Sequence, residues 1–290
     1  MEQIAVYAEA ANAAGVPIVE VGHGNGLGAS SLQVGESRET DFDMLETAKR
    51  YLTKSKLGIH VIPGFATIKK HLAPAIELGV DVFRVASHCT EADITQRHIG
   101  YVREKGREAY GVLMMSHMAS ADLLVEEAQK MEQYGAEGII IMDSAGAYLP
   151  SDVETKITAL VNNLKVPVGF HAHNNLGLAI ANSIIAITSG AKIIDGTARG
   201  FGAGAGNAQL EVLVAVLDKL GYETGIDLYK ILDAADLAEA NIMQVVPIIK
   251  SESVISGLSG VFSGFSKHVN RISKEYKVDP RDVYVELGKR

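Results

Sequence analysis

The chain has 290 residues, 47% hydrophobic and 21% charged, enough to bury one large core or one domain with a small appendage. Its formal net charge is −8 and neither Lys nor Arg clusters, which argues against nucleic acid or an anionic membrane as a partner. Cys89 is the one cysteine, which excludes an intrachain disulfide and suits a reducing cytoplasm; no charged-then-apolar leader and no apolar run of ~18 residues points to secretion or membrane spanning.

The chain opens in a predicted helix over 2–14. A β-branched run follows at 17–22 (PIVEVG), and others recur at 57–63 (LGIHVIP), 81–87 (DVFRVAS), 109–115 (AYGVLMM), 138–143 (GIIIMD), 166–171 (VPVGFH) and 192–196 (KIIDG). They are nearly continuous in apolar residues, as parallel strands covered on both faces are. Helical stretches lie between them; Leu123, Ala128, Met131 and Tyr134 form one apolar stripe. Gly15, Gly79, Gly135 and Gly190 each stand shortly before a strand, at the position of a helix C-cap. The rhythm predicts an α/β fold, a (β/α)8 TIM barrel lacking its first strand; that strand, ~10 residues long, is expected upstream. An open doubly wound sheet is the weaker alternative, because no Gly-rich dinucleotide turn follows the first strand. After Asn207 the strands stop, and 210–220, 228–240 and 264–276 read as helices. The expected domains are a barrel over 1–222 and a C-terminal helical region over 223–290.

Barrel chemistry collects at the C-terminal ends of strands. Those ends carry His23, Ser87–His88, Ser116–His117, Asp143–Ser144, His171–His173 and Asp195. The sharpest motif is His171-Ala172-His173-Asn174-Asn175. Residues i and i+2 of a strand share a face, so both imidazoles can chelate one Mn, Fe, Co or Zn ion. The plain alternative is a histidine pair hydrogen-bonded in a polar rim. A hard ion also wants a carboxylate; Asp143 and Asp195 end neighbouring strands, without a spacing that proves ligation. The glycine-rich stretch 200–207 (GFGAGAGN) is either an anion cradle or a tight loop. His23, within GHGNG, either contacts a substrate over the mouth or orders its own loop. The MMSHM stretch at 114–118 is a substrate-facing lip or core filler. Cys89 and His88 make a poor nucleophile pair, because neighbours on a strand face opposite ways.

Together these residues resemble the 4-hydroxy-2-oxovalerate aldolase family, in the wider group of metal-dependent barrels with isopropylmalate synthase and hydroxymethylglutaryl-CoA lyase. The matching stretches are VGHGNGLGASS (21–31), ASHCTEAD (86–93), LMMSHM (113–118), MDSAGA (142–147), HAHNNLGLAIANS (171–183), GAGAGNAQLEV (202–212) and VELGKR (285–290). The resemblance implies a lyase of aromatic hydrocarbon catabolism. It would cleave 4-hydroxy-2-oxovalerate and related 4-hydroxy-2-oxoacids to pyruvate and acetaldehyde or another short aldehyde. A pyruvate enolate would be stabilised by a divalent metal, Mn2+ by expectation. His171 and His173 match metal ligands of the family, and Ser144 matches a residue near the 2-oxoacid, with His23 as a further substrate contact. An acylating acetaldehyde dehydrogenase is the implied partner, in a hetero-oligomer.

Two departures stand against this. The family's first strand ends in Arg-Asp-Gly with a histidine close behind: an arginine that steadies the enolate, an aspartate that ligates metal and a histidine that acts as base. None has a counterpart here. The family's catalytic tyrosine aligns with Phe262, which cannot donate a hydrogen bond. No residue of the chain is therefore assigned as catalytic, and activity of the chain as written is in question. The alternatives are a Claisen-type barrel condensing an acyl-CoA, or a non-catalytic partner subunit.

Overall fold

The computed structural model describes residues 1–289, so Arg290 of the VELGKR stretch lies outside the described residues. Strands β1 (Ile18–Glu20), β2 (Lys56–Val61), β3 (Val82–His88), β4 (Glu108–Met114), β5 (Gly138–Asp143), β6 (Val168–Ala172) and β7 (Ile193–Ile194) form one parallel sheet in sequence order. Around it run α1 (Glu2–Ala14), α2 (Asp41–Tyr51), α3 (Ala73–Glu77), α4 (Gln96–Glu104), α5 (Ala121–Gln133), α6 (Pro150–Asn163), α7 (Ala179–Thr188) and α8 (Leu210–Lys219). The C-terminal region holds α9 (Leu228–Asn241), α10 (Ser251–Leu258), α11 (Ser266–Tyr276) and α12 (Pro280–Gly288). Sequential parallel pairing with a helix after each strand is the TIM-barrel arrangement. β1 and β7 end the order, and no pairing joins them among the described residues.

Alternation along the strands separates two faces. Leu57, Ile59, Phe83, Val85, Leu113, Ile139, Ile141 and Phe170 point outward into the main core beneath the helices. The opposite residues Ala86, Val112 and Ile140 pack with Tyr110, Met142 and Ile193 on the inner face. β1 and β7 are shorter than the runs 17–22 and 192–196 suggest, because each has a strand neighbour on one side alone. In α5 the buried stripe is Leu124, Glu127, Ala128 and Met131; Leu123 and Tyr134 are only partly covered. Gly15, Gly79, Gly135 and Gly190 all have positive φ, as C-caps in the left-handed region require.

Beyond the barrel, α9 packs Ile231 and Ala234 against Ala14 of α1 and Val214 of α8. Val261, Val269 and Tyr284 form a small separate core between α10, α11 and α12. The helix expected from residue 264 starts at Ser266, and α10 and α12 were not anticipated. The start of α12 is nonetheless signalled: the Asp279 side chain accepts the Arg281 N–H at 2.9 Å, and Pro280 fills the first turn. No helix among the described residues is long and apolar enough to cross a membrane.

Candidate active site

β6 places the histidine pair. Phe170 points outward, fully buried, and stacks on Tyr148 at 6.2 Å between ring centroids with a 7° interplanar angle. His171 therefore faces inward, and His173 follows two residues later, just past the strand, bridged to Asn207. The His171 Nδ1–H donates to Asp195 Oδ2 at 3.0 Å, and the His173 Nδ1–H donates to the carbonyl of Asp143 at 2.9 Å. The ring centroids lie 5.0 Å apart. A neutral ring that donates from Nδ1 keeps its lone pair on Nε2. Burial, reinforced by neighbouring His171, pushes the His173 pKa down to about 3, so that ring is neutral.

The inner face also carries a chain of charges not anticipated from the sequence. Arg84, 8% exposed, donates through Nη1 to Glu20 at 3.1 Å and through Nη2 to Asp195, on the same carboxylate oxygen that His171 engages. Burial works against the guanidinium charge, but Asp195 and then Glu20 outweigh it and hold the Arg84 pKa above its usual value. Burial likewise opposes the Asp195 charge, and Arg84 with the His171 hydrogen bond holds that carboxyl below its ordinary range. His60 of β2 is buried beside them, its pKa pushed down to about 4 chiefly by burial. A signal existed: Glu20, His60 and Arg84 each interrupt the apolar stretch of its run, PIVEVG, LGIHVIP and DVFRVAS.

The remaining candidates are placed as follows. The Asp143 carboxylate accepts the N–H groups of Ala147 and Tyr148, both at 3.0 Å, and burial pushes its pKa up to about 6. Ser144 is buried, and its Oγ accepts the Met115 N–H at 2.9 Å. Both His23 ring nitrogens are engaged in its own loop: Nδ1 accepts from Asn25 N–H at 3.0 Å, and Nε2 donates to the Gly35 carbonyl at 3.1 Å. Cys89 Sγ donates to the Met115 carbonyl at 3.3 Å, and burial raises its pKa to about 11, leaving an unreactive thiol. No group of three His, Cys, Asp or Glu able to hold a metal converges among the described residues.

Comparison with known proteins decides what this barrel is. The HMGL-like family matches residues 1–238, and the DmpG-like communication domain matches residues 247–290. A 4-hydroxy-2-oxovalerate aldolase from Pectobacterium atrosepticum is 64% identical over 289 residues, covering 100% of this chain and 84% of that protein. One from Spirochaeta aurantia is 66% identical over 287 residues, covering 99% and 84%. The chain belongs to the 4-hydroxy-2-oxovalerate aldolase family. Among solved structures, the carboxyl transferase domain of Rhizobium etli pyruvate carboxylase with oxamate and biotin shares the fold, with TM-score 0.82 at 16% identity over 99% of this chain and 52% of that one. An N-terminal domain from Bacteroides vulgatus does so with TM-score 0.77 at 24% identity, over 94% and 90%.

In this family member the mouth is covered from the C-terminal side. Asn175, fully buried, donates to Ser263 Oγ at 2.9 Å and to the Ser253 carbonyl at 3.3 Å. His117 Nε2–H donates to the Gly260 carbonyl at 2.9 Å. Phe262 sits between these anchors, half-buried, edge-on to Phe265 at 6.4 Å. The glycine-rich stretch closes on itself: Gly206 N–H bonds Ala203 and Asn207 N–H bonds Gly200, both through carbonyls. Gly206 has φ 88, and a Cβ there would collide with the Gly200 carbonyl oxygen, so these hydrogen bonds favour the tight-loop reading. Burial lowers the His117 pKa below its ordinary value. The unfolded chain then binds a proton that the folded one refuses, so His117 contributes stability at neutral pH that is lost as pH falls below about 6.5. Thermal melts should show this acid loss, and His117→Gln should lessen it, with His60 and His173 supplying the rest; equal slopes in both proteins would remove His117 as a contributor.

Proposed function

We propose that this chain is a carbon–carbon lyase that cleaves 4-hydroxy-2-oxovalerate to pyruvate and acetaldehyde. The observation that carries the reading is the His171–His173 pair: each Nδ1–H is tied to a fixed acceptor, which leaves both Nε2 positions for an ion. A divalent ion held there, Mn2+ in this proposal, supplies a Lewis acid for the keto and carboxylate oxygens of a 2-oxoacid. Asp195 and the Asp143 carbonyl orient the two rings. Ser144 accepts from Met115, and its own O–H is proposed to donate to the bound 2-oxoacid. His23 becomes a substrate contact only if its loop opens, because both its nitrogens are engaged within it. The C-terminal helices are the proposed docking region for an acylating acetaldehyde dehydrogenase. The communication-domain match and the exposed Leu258 and Tyr276 support that.

The test is pyruvate release from 4-hydroxy-2-oxovalerate at millimolar Mn2+, followed by coupled reduction of the pyruvate formed. Release that depends on Mn2+ and disappears in His171→Ala is expected. None above background in a chain extended by the expected upstream strand would withdraw the lyase reading in favour of a non-catalytic partner subunit.

Phe262 stands where the resemblance implies the family's catalytic tyrosine, and a phenyl ring supplies no hydroxyl there. In a chain that includes the expected upstream strand, Phe262→Tyr should raise the cleavage rate by about 10-fold if general acid–base help is restored. A steady-state rate that stays unchanged would mean residue 262 takes no part in the proton transfers.

A further inference from the structure

We infer that Arg84 is a positioning residue for His171, acting through Asp195 to hold the imidazole in the tautomer whose lone pair is on Nε2. The inference deepens the proposed ion site and rests on the reading of His171 as a ligand there.

An imidazole does not select its own tautomer; the partner of its other nitrogen does. For His171 that partner is Asp195 Oδ2, at 3.0 Å. An ionised carboxylate can only accept, so it fixes the proton on Nδ1. Asp195 follows a strand of only two residues at the end of the sheet, where one strand neighbour alone holds the backbone. What fixes its side chain comes from the other side of the interior: Arg84 of β3 reaches the same oxygen that His171 engages. Arg84 is itself gripped from behind by Glu20 at the end of β1, at 3.1 Å. Elements far apart in the sheet order thus converge on one histidine nitrogen.

A purely stabilising role accounts poorly for this arrangement. Buried ion pairs are weak sources of stability compared with apolar residues of the same volume, and Ala86, Val112 and Ile140 show that apolar residues pack on the same inner face. The planar guanidinium fork suits two carboxylates in fixed, different directions, which a lysine ammonium does not reproduce. The arrangement is the outer support that metal-binding histidines commonly have, extended by one further residue.

The test uses the full chain, metal-free, labelled with 15N-histidine and examined at about pH 8, where an ordinary imidazole is neutral. Long-range 1H–15N spectra report the tautomer, with the His171 signal assigned by its loss in His171→Gln. The unaltered chain should show Nδ1–H. Asp195→Asn and Arg84→Lys should each shift the tautomer ratio toward Nε2–H by about tenfold, and Mn2+ affinity by calorimetry should fall ~10–100-fold in the first and about tenfold in the second. Glu20→Gln, which loosens Arg84 from behind, should move the ratio the same way by less, and it serves if Arg84→Lys fails to fold. An unchanged Nδ1–H signature in the folded variants overturns the inference whatever Mn2+ does. A shifted tautomer in a chain that binds no Mn2+ upholds the positioning role and removes the ion-site reading instead.

Discussion

His173→Ala is expected to lower the Mn2+ affinity of the chain by about 100-fold or more, since losing even an outer-shell partner of a ligand costs ~10–100-fold. It should also take Mn2+-dependent pyruvate release to background. His173 is 8% exposed, its Nδ1–H is fixed by the Asp143 carbonyl, and burial keeps it neutral, so its lone pair stays available across the physiological range. The starting affinity should itself be modest. Two neutral imidazoles do not offset the charge of a divalent ion, and the nearby carboxylates are otherwise engaged. Asp143 accepts Ala147 and Tyr148, and Asp195 accepts Arg84 and His171. Calorimetric titration with Mn2+ checks both points. Micromolar or tighter binding that vanishes in His171→Ala would show that Asp143 or Asp195 leaves its partners to ligate.

Phe170→Ala should destabilise the fold by about 3–5 kcal/mol, the usual range for truncating a fully buried aromatic residue. Phe170 has no exposed surface, packs beneath the helices and stacks on Tyr148. Tyr148 cannot follow it into the void, because its O–H donates to Ser116 Oγ at 2.8 Å and its carbonyl holds Asn182 at 2.8 Å. Lys156 Nζ adds a cation 4.4 Å from the centroid of the same ring. Urea unfolding measures the loss, with Phe170→Leu as the milder control. A loss under about 1 kcal/mol would mean that the outer layer relaxes to fill the cavity.

The strand order and the histidine pair were legible because parallel strands leave long apolar runs, and because i, i+2 alternation needs no tertiary information. GIIIMD is both the predicted run and the observed β5. The ends of β1 and β7 were not, since strand length there depends on a neighbour on each side, a property of the sheet and not of PIVEVG or KIIDG. Glu20, Arg84 and Asp195 sit 64 and 111 residues apart along the chain from one partner to the next, so their meeting was invisible without the sheet. Helix α10 was missed because SESVISGL holds three Ser and a Gly among two β-branched residues, and its stability comes from docking on Asn175 and its own small core instead of from intrinsic propensity.

The grouping of Glu20, Arg84 and Asp195 also sets the sign of the electrostatic potential inside the barrel. One guanidinium faces two carboxylates, and His60, buried beside them, is neutral, so Glu20, Arg84 and Asp195 together carry one more negative than positive formal charge. Asp195 and Arg84 lie in the interior, where screening is weak, whereas Glu20 at the end of β1 is exposed and its share is screened by solvent. At the proposed site that charge would favour a cation between His171 and His173 over a free 2-oxoacid anion.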